Sequence, residues 1–362
     1  MADLDLVAAF APPEGLVGQL VRHRHSLAGS IGPVSELTQI LEAVDELQAR
    51  GEPMALATIV ATTGSTYRHA GARLLVPLNG SPIGNISGGC LEDDVARIGR
   101  EVIADGTPRL ISFDLTADDD AVWGYGLGCN GSFEILVEPT PGAVATAAAL
   151  RQHDEGCLVT VLTGPNAGSH RFEPEADHGR TARILDEAGE RVLHEPILPP
   201  MRLIVCGAGH DAIPLVRQAA ELGWRVTVAD VRRALLNAER FPEATDFCDA
   251  DPEKAAGAIA PDSRSAVVLM SHNYLRDIAY LRSFLGAESA YLGVLGPRGR
   301  TEQMLGELGS PEAIGRLHAP AGLDIGAEGP EEVARAIVAE ILAVTRGRSG
   351  ISLRDRSGPI HD

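Results

Sequence analysis

From Val34 the chain places apolar residues at helical spacing through VSELTQILEAVDELQAR, and the pattern stops at Gly51. Beyond that glycine the period changes. MALATIVATTG (54–64) and ARLLVP (72–77) are nearly unbroken apolar runs of strand length. NISGGCLEDDVARIGREVIADG reads as a strand end, a glycine turn and then a helix, with Glu92, Asp93 and Asp94 in its first turn and Arg97 and Arg100 behind them. LISFDL, SFEILVEP and LVTVLTG are further strands, and the alanine-rich VATAAALRQH between the last two is a helix. These elements predict an α/β domain over 31–165. The arm before it, 1–30, has no clear period.

Residues 166–200 are polar and unperiodic, and read as a linker region holding a hairpin turn at Asp186–Gly189. Pro199-Pro200 marks a boundary. Immediately after it MRLIVCGAGHDAIPLVRQAAELGWRVTVAD forms a strand–turn–helix–strand unit, and AVVLMS and AYLGVLG each lead into a helical stretch. EEVARAIVAEILAVTRG closes the region as a helix. Alternation of this kind predicts a doubly wound parallel sheet over 201–346, followed by a polar, flexible tail at 347–362. The expected class is therefore α/β, with two different α/β domains in series.

Composition narrows the chemistry. The chain has 362 residues, enough for two or three domains of about 150 residues each. Its formal net charge is −19, and no basic patch interrupts the acidity, so a nucleic-acid partner is not expected. Lys254 is the sole lysine, which rules out a lysine-dependent phosphate loop. Five cysteines at 90, 129, 157, 206 and 248 form no C-x-x-C pair, so zinc ribbons and iron–sulfur ligation runs are excluded. A sparse, odd count fits reduced thiols in a cytoplasmic setting. The acidic start is no signal peptide, and no apolar run approaches the roughly 18 residues of a membrane span.

Four motifs carry candidate chemistry. Gly207-Ala208-Gly209-His210-Asp211-Ala212 follows a strand and opens a helix, the setting of a dinucleotide fingerprint. Gly207 permits the tight turn, Gly209 lets the backbone approach a pyrophosphate, and His210 follows in the same turn. Asp230 ends the next strand, where an acidic side chain takes ribose hydroxyls. Arg232 and Arg233 behind it either serve a phosphate or are merely solvated. Ser87-Gly88-Gly89-Cys90-Leu91-Glu92 puts a thiol at a helix start, which favours thiolate, while the acidic residues beside it oppose that; the plainer alternative is a small buried residue behind a turn. Gly124-Tyr125-Gly126-Leu127-Gly128-Cys129-Asn130-Gly131 is too glycine-rich for core and reads as a loop whose backbone closely approaches a ligand or the other cysteine loop, the ligand being the favoured reading. Finally, Ser271-His272-Asn273 with Asp277, and Gly296-Pro297-Arg298-Gly299-Arg300, follow strands of the second domain. They face the crevice at the strands' carboxyl ends. There Arg298 and Arg300 can grip an anion, and His272 either carries protons or only satisfies a turn.

Taken in order, these segments resemble the XdhC/CoxI family of xanthine dehydrogenase and CO dehydrogenase accessory proteins. ATIVATTGSTYRHAGARLLV, SGGCLEDDV and GLGCNGSFEILVEP carry the likeness in the first half. CGAGHDAIPLVRQAAELGWRVTVAD, SHNYLRDIAYL, YLGVLGPRGR and HAPAGLDIGAEGPEEVARAIVAEIL carry it in the second. Tyr67 stands where the family usually has proline. The resemblance implies an XdhC/CoxI-type domain ahead of a Rossmann-like one. It also implies a chaperone that holds the molybdenum cofactor (molybdopterin or its dinucleotide form), supports its sulfuration and passes it to a molybdenum hydroxylase of the xanthine dehydrogenase type. A cysteine desulfurase is a further implied partner, and a homodimer the implied assembly. Cys90 and Cys129 are then the positions nearest molybdenum or its sulfur, with Gly88, Gly89, Gly128, Gly207, Gly209, His210, Asp230, His272 and Arg298 around the cofactor. Two competing readings stand beside it: an NAD(P)-dependent oxidoreductase using Asp230 and His272, and a nucleotide sensor without chemistry.

Overall fold

The computed structural model describes residues 20–22, 35–114, 130–151, 155–174 and 181–357. The chain divides into two compact units, Met1–Pro33 with Met201–Asp362, and Val34–Pro200. The strand β1 (Leu20–Arg22) lies in the former.

Val34–Pro200 opens with α1 (Glu36–Arg50). Ser35 accepts the Thr38 N–H at its start, and Gly51 at φ +67° ends it in the left-handed conformation. β2 (Met54–Ser65) is the centre of a five-stranded antiparallel sheet. It pairs with β3 (Arg73–Pro77) and β6 (Asn130–Glu138); β4 (Ile83–Gly84) extends the β3 side and β5 (Arg109–Asp114) the β6 side. The β2 run lacks polar alternation because both its faces are covered. Ala55, Ala57 and Ile59 pack with Val95, Ala96 and Val102 of α2 (Glu92–Asp105), whereas Met54 and Leu56 meet α1 and α3 (Thr140–Leu150). The pairing of β2 with β6 slips between Ile59 and Ala61, and Val60 joins Leu136, Leu162 and Leu193 in a separate apolar cluster.

Residues 166–200 depart from the expected linker. After β7 (Gly156–Val161), β8 (His170–Pro174), β9 (Arg183–Glu187) and β10 (Glu190–Ile197) complete a four-stranded sheet in the order β8-β7-β10-β9. The hairpin turn falls at Ala188 and Gly189, both at positive φ. Polar residues of this sheet are held by partners far along the chain. Arg73 and Glu195 form a buried ion pair at 2.5 Å, and His170 bridges Glu138 at 2.7 Å and Thr160 at 3.0 Å.

The other unit holds five parallel strands: β11 (Arg202–Cys206), β12 (Arg225–Ala229), β13 (Asp246–Cys248), β14 (Ser265–Leu269) and β15 (Tyr291–Val294). Their order is β13-β12-β11-β14-β15, with β1 antiparallel on the β13 edge. Part of the expected arm at 1–30 is thus a strand. One face of the sheet buries Val205, Val228 and Trp224 with α4 (Ala212–Glu221) and α8 (Pro330–Thr345). The other buries Cys206, Val267 and Leu269 with α5 (Ala255–Ile259), α6 (Tyr274–Phe284) and α7 (Arg298–Glu307). This is the doubly wound arrangement. Of the expected tail, Leu353–Asp355 forms a short 3-10 turn. Among the described residues no helix is long and apolar enough to cross a membrane.

Candidate functional site

The connections of the parallel sheet run in opposite directions from β11, so the loops after β11 and β14 border the crevice where such sheets take ligands. Gly207 has φ +127°, and a Cβ there would lie 2.6 Å from the Met270 carbonyl oxygen, so this turn admits only glycine. Its N–H donates to Ala229 O at 2.8 Å. The Ala208 N–H donates to Asp230 Oδ2 at 2.8 Å. The next three amides, of Gly209, His210 and Asp211, have no acceptor among the described residues and lead directly into α4. Gly209 is half-buried, with His272 Cδ2 at 3.7 Å from where its Cβ would be, and His210 is exposed. A turn with three free N–H groups at a helix start attracts an anion through both hydrogen bonds and the helix dipole.

The opposing loop closes on this turn. His272, at φ +54°, sets Nε2 2.9 Å from Asp211 Oδ2. Behind it Ser271 Oγ donates to Asp277 Oδ1 at 2.5 Å, and Arg300 donates to Asp277 Oδ2 at 2.6 Å. Asp277 is buried, so its charge is compensated locally. Arg298 is not drawn into this cluster; its guanidinium is exposed and pairs with Glu302, one turn on in α7. Asp230 is held by Arg232 through both Nε and Nη2, at 2.9 and 2.7 Å. Burial alone would raise the Asp230 carboxyl, but those donors and the backbone N–H groups bring it below the ordinary aspartate value.

In the other unit, Gly88 and Gly89 both have positive φ and lead to Cys90 and α2. Every N–H from Ile86 to Leu91 is engaged within the loop. Glu92 accepts from the amides of Ile86, Ser87, Gly89 and Leu91 at 2.9 to 3.1 Å and from the Ser87 hydroxyl at 2.5 Å. Ser87 Oγ accepts from the amides of Cys90 and Leu91, and Asn85 Oδ1 from that of Gly88. Burial would raise the Glu92 carboxyl, yet these hydrogen bonds hold it below the usual glutamate value. Cys90 itself is half-buried, and Tyr67 lies against the face of Gly88.

Gly128 and Cys129 lie outside the described residues. Cys157 is buried, and burial pushes its thiol up to about 11; burial likewise raises Cys206 and Cys248. These are inert core thiols. Among the described residues no three His, Cys, Asp or Glu side chains gather in a metal-holding group.

Sequence reasoning missed two arrangements. Glu92 counts there as a charge opposing a thiolate, whereas it is the acceptor that organises the loop. Its place at the start of α2, following a glycine turn full of N–H groups, was the available signal. Arg232 reads as either a phosphate partner or a solvated side chain, and neither reading includes its clamp on Asp230; the spacing of two carried no signal for that.

Comparison with known proteins sets these sites in context. A family model described as the XdhC Rossmann domain matches residues 203–341, and one described as the XdhC and CoxI family matches residues 47–114. A Bacillus subtilis protein, named as a probable subunit of xanthine dehydrogenase, is 33% identical over 336 residues, covering 85% of this chain and 98% of that protein. The Escherichia coli molybdenum cofactor insertion chaperone PaoD is 27% identical over 312 residues, covering 84% of this chain and 87% of its own length. A crystal structure described as a xanthine dehydrogenase from Bacillus halodurans superposes with a TM-score of 0.71 at 30% identity, over 86% of this chain and 96% of that one.

Proposed function

Because the chain belongs to the XdhC and CoxI family, we propose that it is a maturation protein for a molybdenum enzyme. It holds the molybdenum cofactor as cargo, supports its sulfuration, and delivers it to a hydroxylase of the xanthine dehydrogenase type, with a cysteine desulfurase as sulfur source. The name of the PaoD relative supports the cargo. The observation that carries the reading in this chain is the turn at Gly209–Asp211, whose three amides have no acceptor among the described residues and suit the phosphate or nucleotide end of a pterin cofactor.

Cys90, in the Val34–Pro200 unit, is a separate candidate position for the cargo. A thiol on a loop whose own amides are all satisfied can meet a soft metal or its terminal sulfur, because thiolates are soft ligands. Cys129 is proposed for the same role on the basis of its motif, with Gly128 beside it as a cofactor-binding position. Gly207, Gly209, His210 and His272 line the crevice; Arg298, being turned to Glu302, is a peripheral member.

The test is molybdenum and pterin content of protein purified anaerobically from a cell that makes the cofactor, with client activity measured alongside. Cys90→Ser and Cys129→Ser each should lower cofactor retention or leave the client assembled but poorly active, because serine nearly keeps the volume and loses the soft sulfur. Cys157→Ser should not do so. Full client activity with both Cys90 and Cys129 replaced would remove the thiols from the reading. Absence of pterin from the wild-type protein would remove the cargo.

A further inference from the structure

We infer that the crevice at the end of β12 selects a phosphate monoester over a free ribose diol, through an Arg232 side chain clamped onto Asp230. This rests on the reading that the Gly207–Asp211 turn takes the phosphate-bearing end of a ligand. An acidic residue at this strand end normally recognises a ribose by accepting from its hydroxyls. Asp230 has the position but no free acceptor. A carboxylate offers about four acceptor sites, and here four donors occupy them: the Ala208 N–H at 2.8 Å and Arg232 Nη2 at 2.7 Å on Oδ2, and the Arg232 N–H and Nε at 2.9 Å each on Oδ1. The side chain is 2% exposed, so no approach past these donors is open.

A diol would therefore have to break a two-point, charge-assisted pair to be recognised, and such pairs are among the strong hydrogen bonds. The arginine, by contrast, is still able to donate. Its side chain is 42% exposed, and Nη1 has no partner among the described residues. Arg233 follows, 81% exposed and paired with Asp249 at 2.5 Å. The position that serves hydroxyl groups in a diol-binding crevice thus presents cationic N–H groups, and the ligand chemistry that matches them is a phosphate dianion. Two sources share that chemistry: a phosphate on the 2′ oxygen of a nucleotide, and the terminal phosphate of a ligand with no nucleoside, such as a pterin phosphate.

Calorimetry on the full chain separates the possibilities, using AMP, 2′,5′-ADP (which adds one phosphate at O2′) and a pterin phosphate as probes. In the wild type, 2′,5′-ADP or the pterin phosphate should bind at least about tenfold more tightly than AMP. Arg232→Ala should abolish that preference and, by freeing Asp230, strengthen AMP binding. Arg232→Lys, which keeps the charge but loses the fork, should retain part of the preference and serves if the alanine variant does not fold. Preference for 2′,5′-ADP assigns the nucleotide source; preference for the pterin phosphate alone assigns the other. Equal binding of AMP and the phosphate-rich probes, abolished throughout by Gly209→Val, overturns the selectivity and leaves the crevice standing. Binding that Gly209→Val does not change, or no binding by any probe, overturns the crevice reading and this inference with it.

Discussion

Two of the glycine turns that open helices among the described residues treat their backbone amides in opposite ways. The turn at Ser87–Leu91 folds the N–H groups of Ser87, Gly89 and Leu91 around the carboxylate of Glu92 and satisfies the other two with Asn85 and Ser87, so the anion it attracts is its own. The turn at Gly207–Asp211 commits its first two amides to the sheet and to Asp230, and leaves three without an acceptor among the described residues. Both have the composition of an anion cradle, yet only one is open to a ligand. A glycine-rich helix start becomes a binding site only if the protein has not already filled it.

The contrast is sharpest within the open turn, between Gly207 and Gly209. Gly207→Ala puts a Cβ 2.6 Å from the Met270 carbonyl at φ +127°. The combined strain and overlap should cost about 3 kcal/mol of stability in a denaturant titration. At Gly209 an added Cβ meets only His272 Cδ2, at 3.7 Å, in ordinary van der Waals contact, and Gly209→Val builds outward from there. It should change stability by no more than about 0.5 kcal/mol, while calorimetry with a phosphate ligand reads a loss of binding. Equal destabilisation by both would mean that the second glycine serves the fold rather than a ligand.

For the filled turn, Glu92→Gln replaces an acceptor-only group with one that turns two donors toward the loop amides. The expected cost is about 2 kcal/mol, read from the shift in denaturation midpoint. A loss below about 0.5 kcal/mol would show that the loop does not depend on the carboxylate. The pH dependence follows with a definite sign. Glu92 titrates below its ordinary value of 4.5 in the folded chain, so its contribution is complete above that value and fades as pH falls through the lowered one. The gap between wild type and Glu92→Gln should therefore be constant near neutrality and shrink in acid. A gap that widens in acid would reverse the assignment.

Much of the architecture is legible in the residues alone. The unbroken run at 54–60 and the strand–turn–helix at 203–221 announce themselves because buried strands and fingerprint turns depend on local residue choice. The sheet of residues 156–197 is only partly legible. β8 and β9 are largely solvent-facing and polar, and His170, Glu138, Arg73 and Glu195 become reasonable interior residues only when distant segments meet. The site divides in the same way. Gly207 and Asp230 can be found by spacing; that Glu92 fills one turn and Arg232 fills Asp230 depends on hydrogen-bond directions that no linear pattern records.

The strand β1 carries a consequence for how the molecule is made. Leu20–Arg22 leaves the ribosome early, yet its partner Asp246–Cys248 is synthesised only after all of Val34–Pro200 has emerged. The Val34–Pro200 unit can close its own core while the other waits, so the part that bears the crevice is the last to be completed. A cut at Pro200 would not yield two independent pieces. The later fragment would carry β13 as a bare edge, prone to pairing with a stray chain, and the earlier would carry a strand without a sheet. Mixed together, the fragments have the pairing of Leu20–Arg22 with Asp246–Cys248 through which to reassemble.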